Sequence, residues 1–227
     1  VGSGKPVTVT NLSLVDGSGA ASNYNLTSSA LTITARPLSL SGSRIYDATT
    51  SVAASDLSTI SNFVGSETII LSGNGVTGNK NVGESKALTN VSGLSLGDGS
   101  NGGLAGNYTL SGGTHKINIT KRPITISGSK TYDGSTTVQN NFISTLSNRA
   151  GGETLNITGS GTVNSAAVGT NKTISLGTLA LSDNSGSASN YELSSGTFDI
   201  NLRNITFVGT RHYDGTTDAN TSNLTST

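Results

Sequence analysis

One stretch of this chain occurs three times. It reads Arg36-Pro37-Leu38-Ser39-Leu40-Ser41-Gly42-Ser43-Arg44-Ile45-Tyr46-Asp47-Ala48, then Arg122-Pro123-Ile124-Thr125-Ile126-Ser127-Gly128-Ser129-Lys130-Thr131-Tyr132-Asp133-Gly134, then Arg203-Asn204-Ile205-Thr206-Phe207-Val208-Gly209-Thr210-Arg211-His212-Tyr213-Asp214-Gly215. The tyrosines stand 86 and 81 residues apart (132 − 46 and 213 − 132), too far for a solenoid turn and suited to small independent domains. The chain therefore reads as an array: residues 1–36 match the C-terminal half of a repeat, 37–122 and 123–203 are complete repeats, and 204–227 match the N-terminal half. The start at Val1 and the lack of Met lead us to expect an excerpt, with any native start or secretion signal lying outside it.

Within each repeat, apolar and hydroxyl residues alternate with period two, as in Val7-Thr8-Val9-Thr10, Leu12-Ser13-Leu14, Leu31-Thr32-Ile33-Thr34 and Ile117-Asn118-Ile119. That is the strand signal, and Gly, Asn and Asp turns separate the runs. About seven short strands per repeat is the pattern of an antiparallel β-sandwich, immunoglobulin-like in general character. The fold class is all-β, with tandem sandwich modules in a rod; β-grasp-like modules are the alternative. A parallel sheet is not expected, since no segment between strands has helical period or length.

At each junction the apolar alternation slips by one residue, from Ile117 and Ile119 to Ile124 and Ile126, and likewise from Leu31 and Ile33 to Leu38 and Leu40. A one-residue slip sends side chains to the opposite face, so one module's last strand should lead directly into a new core. Proline is expected there at a strand end or edge, where no ladder bond is lost. With no flexible linker, successive modules are expected to keep a fixed relation.

All six tyrosines occupy two places in the repeat. Tyr24, Tyr108 and Tyr191 follow a Gly- or Ser-rich loop as Asn-Tyr, which resembles the tyrosine corner of immunoglobulin-type sandwiches and marks them as structural. Tyr46, Tyr132 and Tyr213 precede a turn aspartate.

Tyr132-Asp133-Gly134 and Tyr213-Asp214-Gly215, with Tyr46-Asp47-Ala48 as a variant, carry the motif of the YDG domain. In register with it run Val-Gly-x-x-Lys, at Val1 to Lys5, Val82 to Lys86 and Val168 to Lys172, and Gly106-Asn107-Tyr108. Through these motifs the whole chain resembles tandem YDG repeats of filamentous-haemagglutinin-like surface adhesins of Gram-negative bacteria, of the two-partner-secreted type. The resemblance implies a secreted, cell-surface stalk or fibre that serves adhesion or biofilm, and implies no catalysis. Ala48 in place of glycine leads us to expect that a positive φ is not obligatory at that position.

The recurring charges admit two readings. Lys5, Lys86 and Lys172, with Asp47, Asp133, Asp214, Glu67 and Glu153, could form a Lys–Asn isopeptide cross-link with a carboxylate as proton shuttle. The reading we prefer is a Lys–Asp pair and an Asx-turn in which the carboxylate accepts backbone N–H bonds. The loops holding Asp16, Asp98 and Asp183 offer one carboxylate each, which favours turn chemistry over calcium. His115, which sequence matching places opposite Phe198, and His212 are not repeat-equivalent and are expected at solvated strand positions, so no catalytic triad or metal set is indicated.

No cofactor is expected. Thirteen basic and 13 acidic side chains give zero net charge, leaving no footprint for nucleic acid, and no apolar run is long enough to span a membrane. Expected partners are neighbouring repeats of the same chain, with like chains in a fibre or an extracellular glycan as the alternative.

Overall fold

The computed structural model describes residues 1–7, 9, 12–27 and 30–226. Two of the four residues of the expected Val7–Thr10 strand, Thr8 and Thr10, lie outside the described residues. The chain forms two compact units, 1–120 and 121–227.

In the first unit, β1 (Gly2–Pro6) pairs antiparallel with β2 (Ala30–Ile33). Leu12-Ser13-Leu14, expected as a strand, has no regular structure. Its counterpart in the complete repeat is held by a strand that residues 1–36 lack, as shown below. The complete repeat then runs through β3 (Arg36–Pro37), β4 (Ser39–Ile45), β5 (Ser51–Ala53), β6 (Thr59–Ser61), β7 (Ile69–Thr77), β8 (Gly83–Asn90), β9 (Leu94–Asp98), β10 (Tyr108–Thr109) and β11 (His115–Thr120). The sheet order is β5-β7-β8-β11-β4-β6, with β9 against the first half of β7.

The second unit repeats the plan. Its strands are β12 (Arg122–Thr131), β13 (Thr137–Gln139), β14 (Ile143–Ser147), β15 (Leu155–Thr158), β16 (Ser160–Val163), β17 (Gly169–Ser175), β18 (Ala180–Asp183) and β19 (Tyr191–Asn201), followed by the hairpin pair β20 (Phe207–Gly209) and β21 (Leu224–Ser226). The order β13-β16-β17-β19-β12-β14 matches the first sheet, and β15 pairs with β18 as β7 does with β9. Here the long strand is broken in two at Gly159, whose φ of 82° corresponds to 84° at Gly73 in the middle of β7. The bend lets one strand serve two sheets. At both glycines a Cβ would lie 2.1 Å from a backbone oxygen, of Gly93 or Thr178.

The fold is all-β, and among the described residues the only helical segments are 3-10 turns of three residues. All pairings within the two sheets are antiparallel except the central one. There the first and last long strands of a repeat run parallel, from Leu40↔His115 to Ile45↔Thr120 and from Arg122↔Tyr191 to Thr131↔Asn201. Neither sheet is a parallel sheet, as expected, but this central parallel pair is the one exception to antiparallel pairing in each. A parallel pair needs a long crossover, and here the rest of the module supplies it in place of a helix.

The register also corrects the placement of His115: Gly196, not Phe198, stands opposite Ile126 as His115 stands opposite Leu40. Ile117 and Ile119 are then the counterparts of Phe198 and Ile200, and all four are at most 2% exposed. Across the junction Ile124 and Ile126 are likewise buried, which is the slip of face seen in the sequence. Pro123 is not on an edge strand. It stands near the start of central β12, where only β19 is paired, because β14 joins from Thr125 onward.

Candidate functional site

The repeated residues gather into four small constellations, each inside one compact unit. The first is the turn after β4, β12 and the corresponding segment before Asp214. Asp47 Oδ1 accepts from the Thr49 amide at 2.9 Å, Asp133 Oδ1 from the Ser135 amide at 2.9 Å, and Asp214 Oδ1 from the Thr216 amide at 3.0 Å. These are Asx-turns.

The cation beside each carboxylate is the residue three positions earlier. Arg44 pairs with Asp47, Lys130 with Asp133 at 2.9 Å, and Arg211 with Asp214. Lys130 is buried and also donates to the carbonyls of Ser135 and Thr137, while Arg44 donates to Thr49. The hydrogen bond from Lys130 and then that from the Ser135 amide hold the Asp133 carboxyl below the usual aspartate range; for Asp214 the Thr216 amide is the largest cause.

The next residue takes φ of 66° at Ala48, 78° at Gly134 and 79° at Gly215. The positive φ is thus kept where alanine replaces glycine, against the expectation from the sequence. The Asx-turn and the ion pair fix the turn, and Ala48 adopts a conformation that costs an L-residue about 1–2 kcal/mol. Tyr46 is fully buried, Tyr132 is 41% exposed and Tyr213 94% exposed.

The second constellation is built on the Asn-Tyr element. The Tyr108 hydroxyl donates to Glu67 Oε2 at 2.5 Å and accepts from the Val64 amide at 3.1 Å; Tyr191 donates to Glu153 Oε2 at 2.7 Å and accepts from the Ala150 amide at 3.2 Å. Val64 and Glu67 begin and end one turn, closed by the Glu67 amide on the Val64 carbonyl at 3.1 Å. The tyrosine therefore pins both ends of a loop about 40 residues earlier, whereas the hydroxyl of an immunoglobulin tyrosine corner bonds backbone only a few residues upstream. The bond to Glu67 raises the Tyr108 pKa, with burial second.

Each tyrosine is delivered by a 3-10 turn whose first amide, at Ala21, Ala105 or Ala188, donates to Asp16, Asp98 or Asp183 at 2.6, 2.8 or 2.7 Å. These loop aspartates do turn chemistry. Tyr24 has the same turn but is 67% exposed.

The third is Val-Gly-x-x-Lys, which forms a β-bulge. The register slips between Gly2 and Lys5, between Gly83 and Lys86, and between Gly169 and Lys172. The residue before each lysine has positive φ, 66° at Gly4, 48° at Ser85 and 53° at Asn171. The Lys86 and Lys172 stems lie over the glycines, where a Cβ would be 3.3 Å from them.

Lys86 Nζ donates to Asn79 Oδ1 at 2.5 Å and to the Asn81 carbonyl, and its pKa is lowered by burial and then by Arg44. Both acceptors are neutral, and the cation of the Asp turn is Arg44, not Lys86. The expected Lys–Asp pair is therefore an Arg–Asp or a local Lys–Asp pair. In the second repeat Ser165 and Ala167 stand where the first has Asn79 and Asn81, so the amide beside Lys86 does not recur.

The fourth constellation was not visible to sequence reasoning. Arg36 and Arg122 each clasp an asparagine held in the left-handed region, Asn62 at φ 78° and Asn148 at φ 68°. Arg Nε donates to the asparagine carbonyl at 2.8 and 2.6 Å, and a terminal guanidinium nitrogen donates to its side-chain oxygen at 2.8 Å in both. The asparagine amide then donates to the carbonyl of Pro37 at 2.6 Å or Pro123 at 2.9 Å. The two partners are 26 residues apart in both repeats, and that constant spacing is the signal that could have found them.

His115 is half-buried at the start of β11, with Nε2 at 2.8 Å from the Leu110 carbonyl oxygen, so it is not a solvated position. His212 is exposed and lies outside a strand. Among the described residues no helix is long and apolar enough to cross a membrane.

Comparison with curated proteins and with solved structures finds no match. The family model described as the YDG domain matches twice in tandem, at residues 29–116 and 114–198. Each match takes in an Asp turn, a bulged Val-Gly-x-x-Lys and a Tyr–Glu lock, and together they cover most of the chain: it belongs to the YDG domain family.

Proposed function

We propose that the chain is a non-enzymatic structural segment of a secreted bacterial surface adhesin, which spaces or projects a binding region in cell adhesion or biofilm. The observation that carries this reading is where the repeated polar groups point. The Asp turn, the Tyr–Glu lock and the Arg–Asn clasp all bond to the backbone of their own compact unit. Repetition of groups that fix a fold, module after module, is what a spacer needs. The extracellular, cell-surface location goes with this role and with the family resemblance.

A second reading is favoured by one feature of the second module. The outer face of its central strands holds a shallow depression of about 360 Å³ lined by Ser127, Ser129, Ser144, Asn171, Thr197 and Asp199, a hydroxyl-rich surface suited to a glycan or to a like chain. The test is to delete residues 37–203 from the protein that carries them, on its native cells. Ligand capture should persist with shortened reach. Loss of capture with the distal region still displayed would move binding into the modules and overturn the spacer reading.

A further inference from the structure

The bulge that carries Val-Gly-x-x-Lys is capped from the neighbouring strand in both complete repeats. In the second the Asn171 amide donates to Asp199 Oδ1 at 2.7 Å, and in the first the Ser85 amide donates to Asn118 Oδ1 at 2.7 Å. The two caps occupy the same place, since Ser129 stands opposite Asp199 and Ser43 opposite Asn118 across the parallel pair. A cap needs one oxygen acceptor, and Asn118 shows that a carboxamide supplies it. The charge on Asp199 is therefore surplus to the fold.

That surplus group lines the depression of about 360 Å³ on the outer face of the second module. Asp199 Oδ2 and the Asn171 carboxamide have no hydrogen-bond partner among the described residues, and Ser129, Ser144 and Thr197 complete the polar lining. The depression lies between two irregularities of register. One, between Gly169 and Lys172 of β17, turns Asn171 out of the ladder; the other, between Ser127 and Gly128 of β12, leaves Ser144 as the extra residue of β14. Bulges re-aim side chains in this way next to active sites.

A carboxylate oxygen beside a carboxamide offers acceptors and donors to two adjacent hydroxyls, and the three short hydroxyls can meet those of the rest of a ring. A vicinal diol of a sugar fits that set. The volume is at the small end of the roughly 300–1,000 Å³ of ligand pockets, which is room for one ring. No basic side chain lines the depression, so the carboxylate disfavours an acidic sugar.

We infer that the second module binds one neutral hexose ring through a vicinal diol, with Asp199 and Asn171 as the principal contacts. This rests on the glycan reading of the depression given above and narrows it to one module and one sugar class. The first module lacks the site. Asn118 replaces the carboxylate and Ser85 the carboxamide, and Lys116, opposite Ser41 as Thr197 is opposite Ser127, puts a long cationic side chain on the same face.

The test is an amide-shift titration of the 227-residue chain by nuclear magnetic resonance, with methyl β-galactoside, methyl α-mannoside and glucuronate. At least one neutral hexoside should shift the Ser129, Asn171 and Thr197 amides to saturation and leave those of Ser43, Ser85 and Lys116 in place; glucuronate should shift neither set. Asp199→Asn should weaken the affinity about tenfold, because a hydrogen bond to a carboxylate is worth roughly twice a neutral one. Thr197→Lys should abolish binding. Each variant installs the residue that the first module carries at that place, so the fold should hold, and amides outside the depression report whether it does. Saturable shifts at other amides, or binding unaffected by either substitution, overturn this site while leaving a glycan role elsewhere in the modules. Glucuronate binding as tightly as the neutral rings overturns the sugar class. No shift anywhere with either hexoside overturns both the site and the glycan reading behind it, and shifts at the same amides that grow with protein concentration in the absence of sugar would assign the face to a like chain.

Discussion

The Tyr191 hydroxyl donates to Glu153 Oε2 at 2.7 Å, and both side chains are buried. The bond ties the head of the last strand to a loop 38 residues earlier, and the Ala150 amide at the start of that loop donates to the same hydroxyl. Removing the hydroxyl takes a donor from a buried carboxylate and an acceptor from a buried amide.

Tyr191→Phe should therefore destabilise the second module by about 1–3 kcal/mol, the cost of leaving buried polar groups without a partner they use. Denaturant unfolding measures it, and hydrogen exchange at Ala150 should rise with it. An unchanged midpoint together with unchanged Ala150 protection would mean that the loop is held by other contacts.

Gly128 makes a sharper demand. A Cβ there would lie 2.0 Å from the Phe142 carbonyl oxygen, and at Gly42 it would lie 1.8 Å from that of Asp56. The 3-10 turn that follows β5 or β13 rests directly on the glycine backbone in both repeats. Gly128→Ala should cost about 3 kcal/mol or more, the upper end for overpacking, since neither carbonyl can swing aside without breaking its turn. Gly106→Ala is the control, with nothing within 4 Å of the added atom, and should fall within about 0.5 kcal/mol of wild type. Equal effects in thermal unfolding would refute the packing argument.

Ala48 is the variant position of the motif, and it tests the backbone alone. Its φ of 66° is positive, as are those of Gly134 at 78° and Gly215 at 79°. Ala48→Gly should stabilise the first module by about 0.5–1 kcal/mol, the relief of left-handed strain less the extra chain entropy of glycine. At Gly134 a Cβ meets nothing within 4 Å, so Gly134→Ala should cost a similar amount through φ alone. Denaturation midpoints that move the other way in either variant would show that the turn is not strained.

Much of the module could be read in the sequence because its strands are half-buried and alternate, so Ile117, Ile119, Ile124 and Ile126 announce their faces one residue at a time. The recurring tyrosine was legible for the same local reason, its Asn-Tyr returning after a glycine- or serine-rich loop. The parallel pairing of β4 with β11 was not, because it joins segments 75 residues apart and no local pattern distinguishes a parallel partner from an antiparallel one. The Arg122–Asn148 clasp was hidden by abundance: asparagine is so frequent here that one held at positive φ carries no mark of its own. Glu67 and Glu153 were visible as recurring acids, yet their partner is a tyrosine about 40 residues away and not a lysine.

The Asp turn has a pH signature. The Asp133 carboxylate is held below its ordinary value near 3.8 by Lys130 and the Ser135 amide. Folding therefore favours the ionised form, so its contribution is fully present above that value and is lost as the pH falls through the lower, folded pKa. Stability of the second unit should stay level from neutrality to about pH 5, then decline in acid as Asp133 and Asp214 take up protons. Asp133→Asn isolates the charge, because the amide oxygen can still accept from Ser135 and keep the Asx-turn. In this variant the neutral-pH midpoint should drop slightly and the acid decline should become shallower, with the Ser135 amide still slow to exchange. An acid decline as steep as that of the wild type would assign the loss of stability to other carboxylates, and a Ser135 amide that exchanges freely would show that the Asx bond does not survive without the Lys130–Asp133 ion pair.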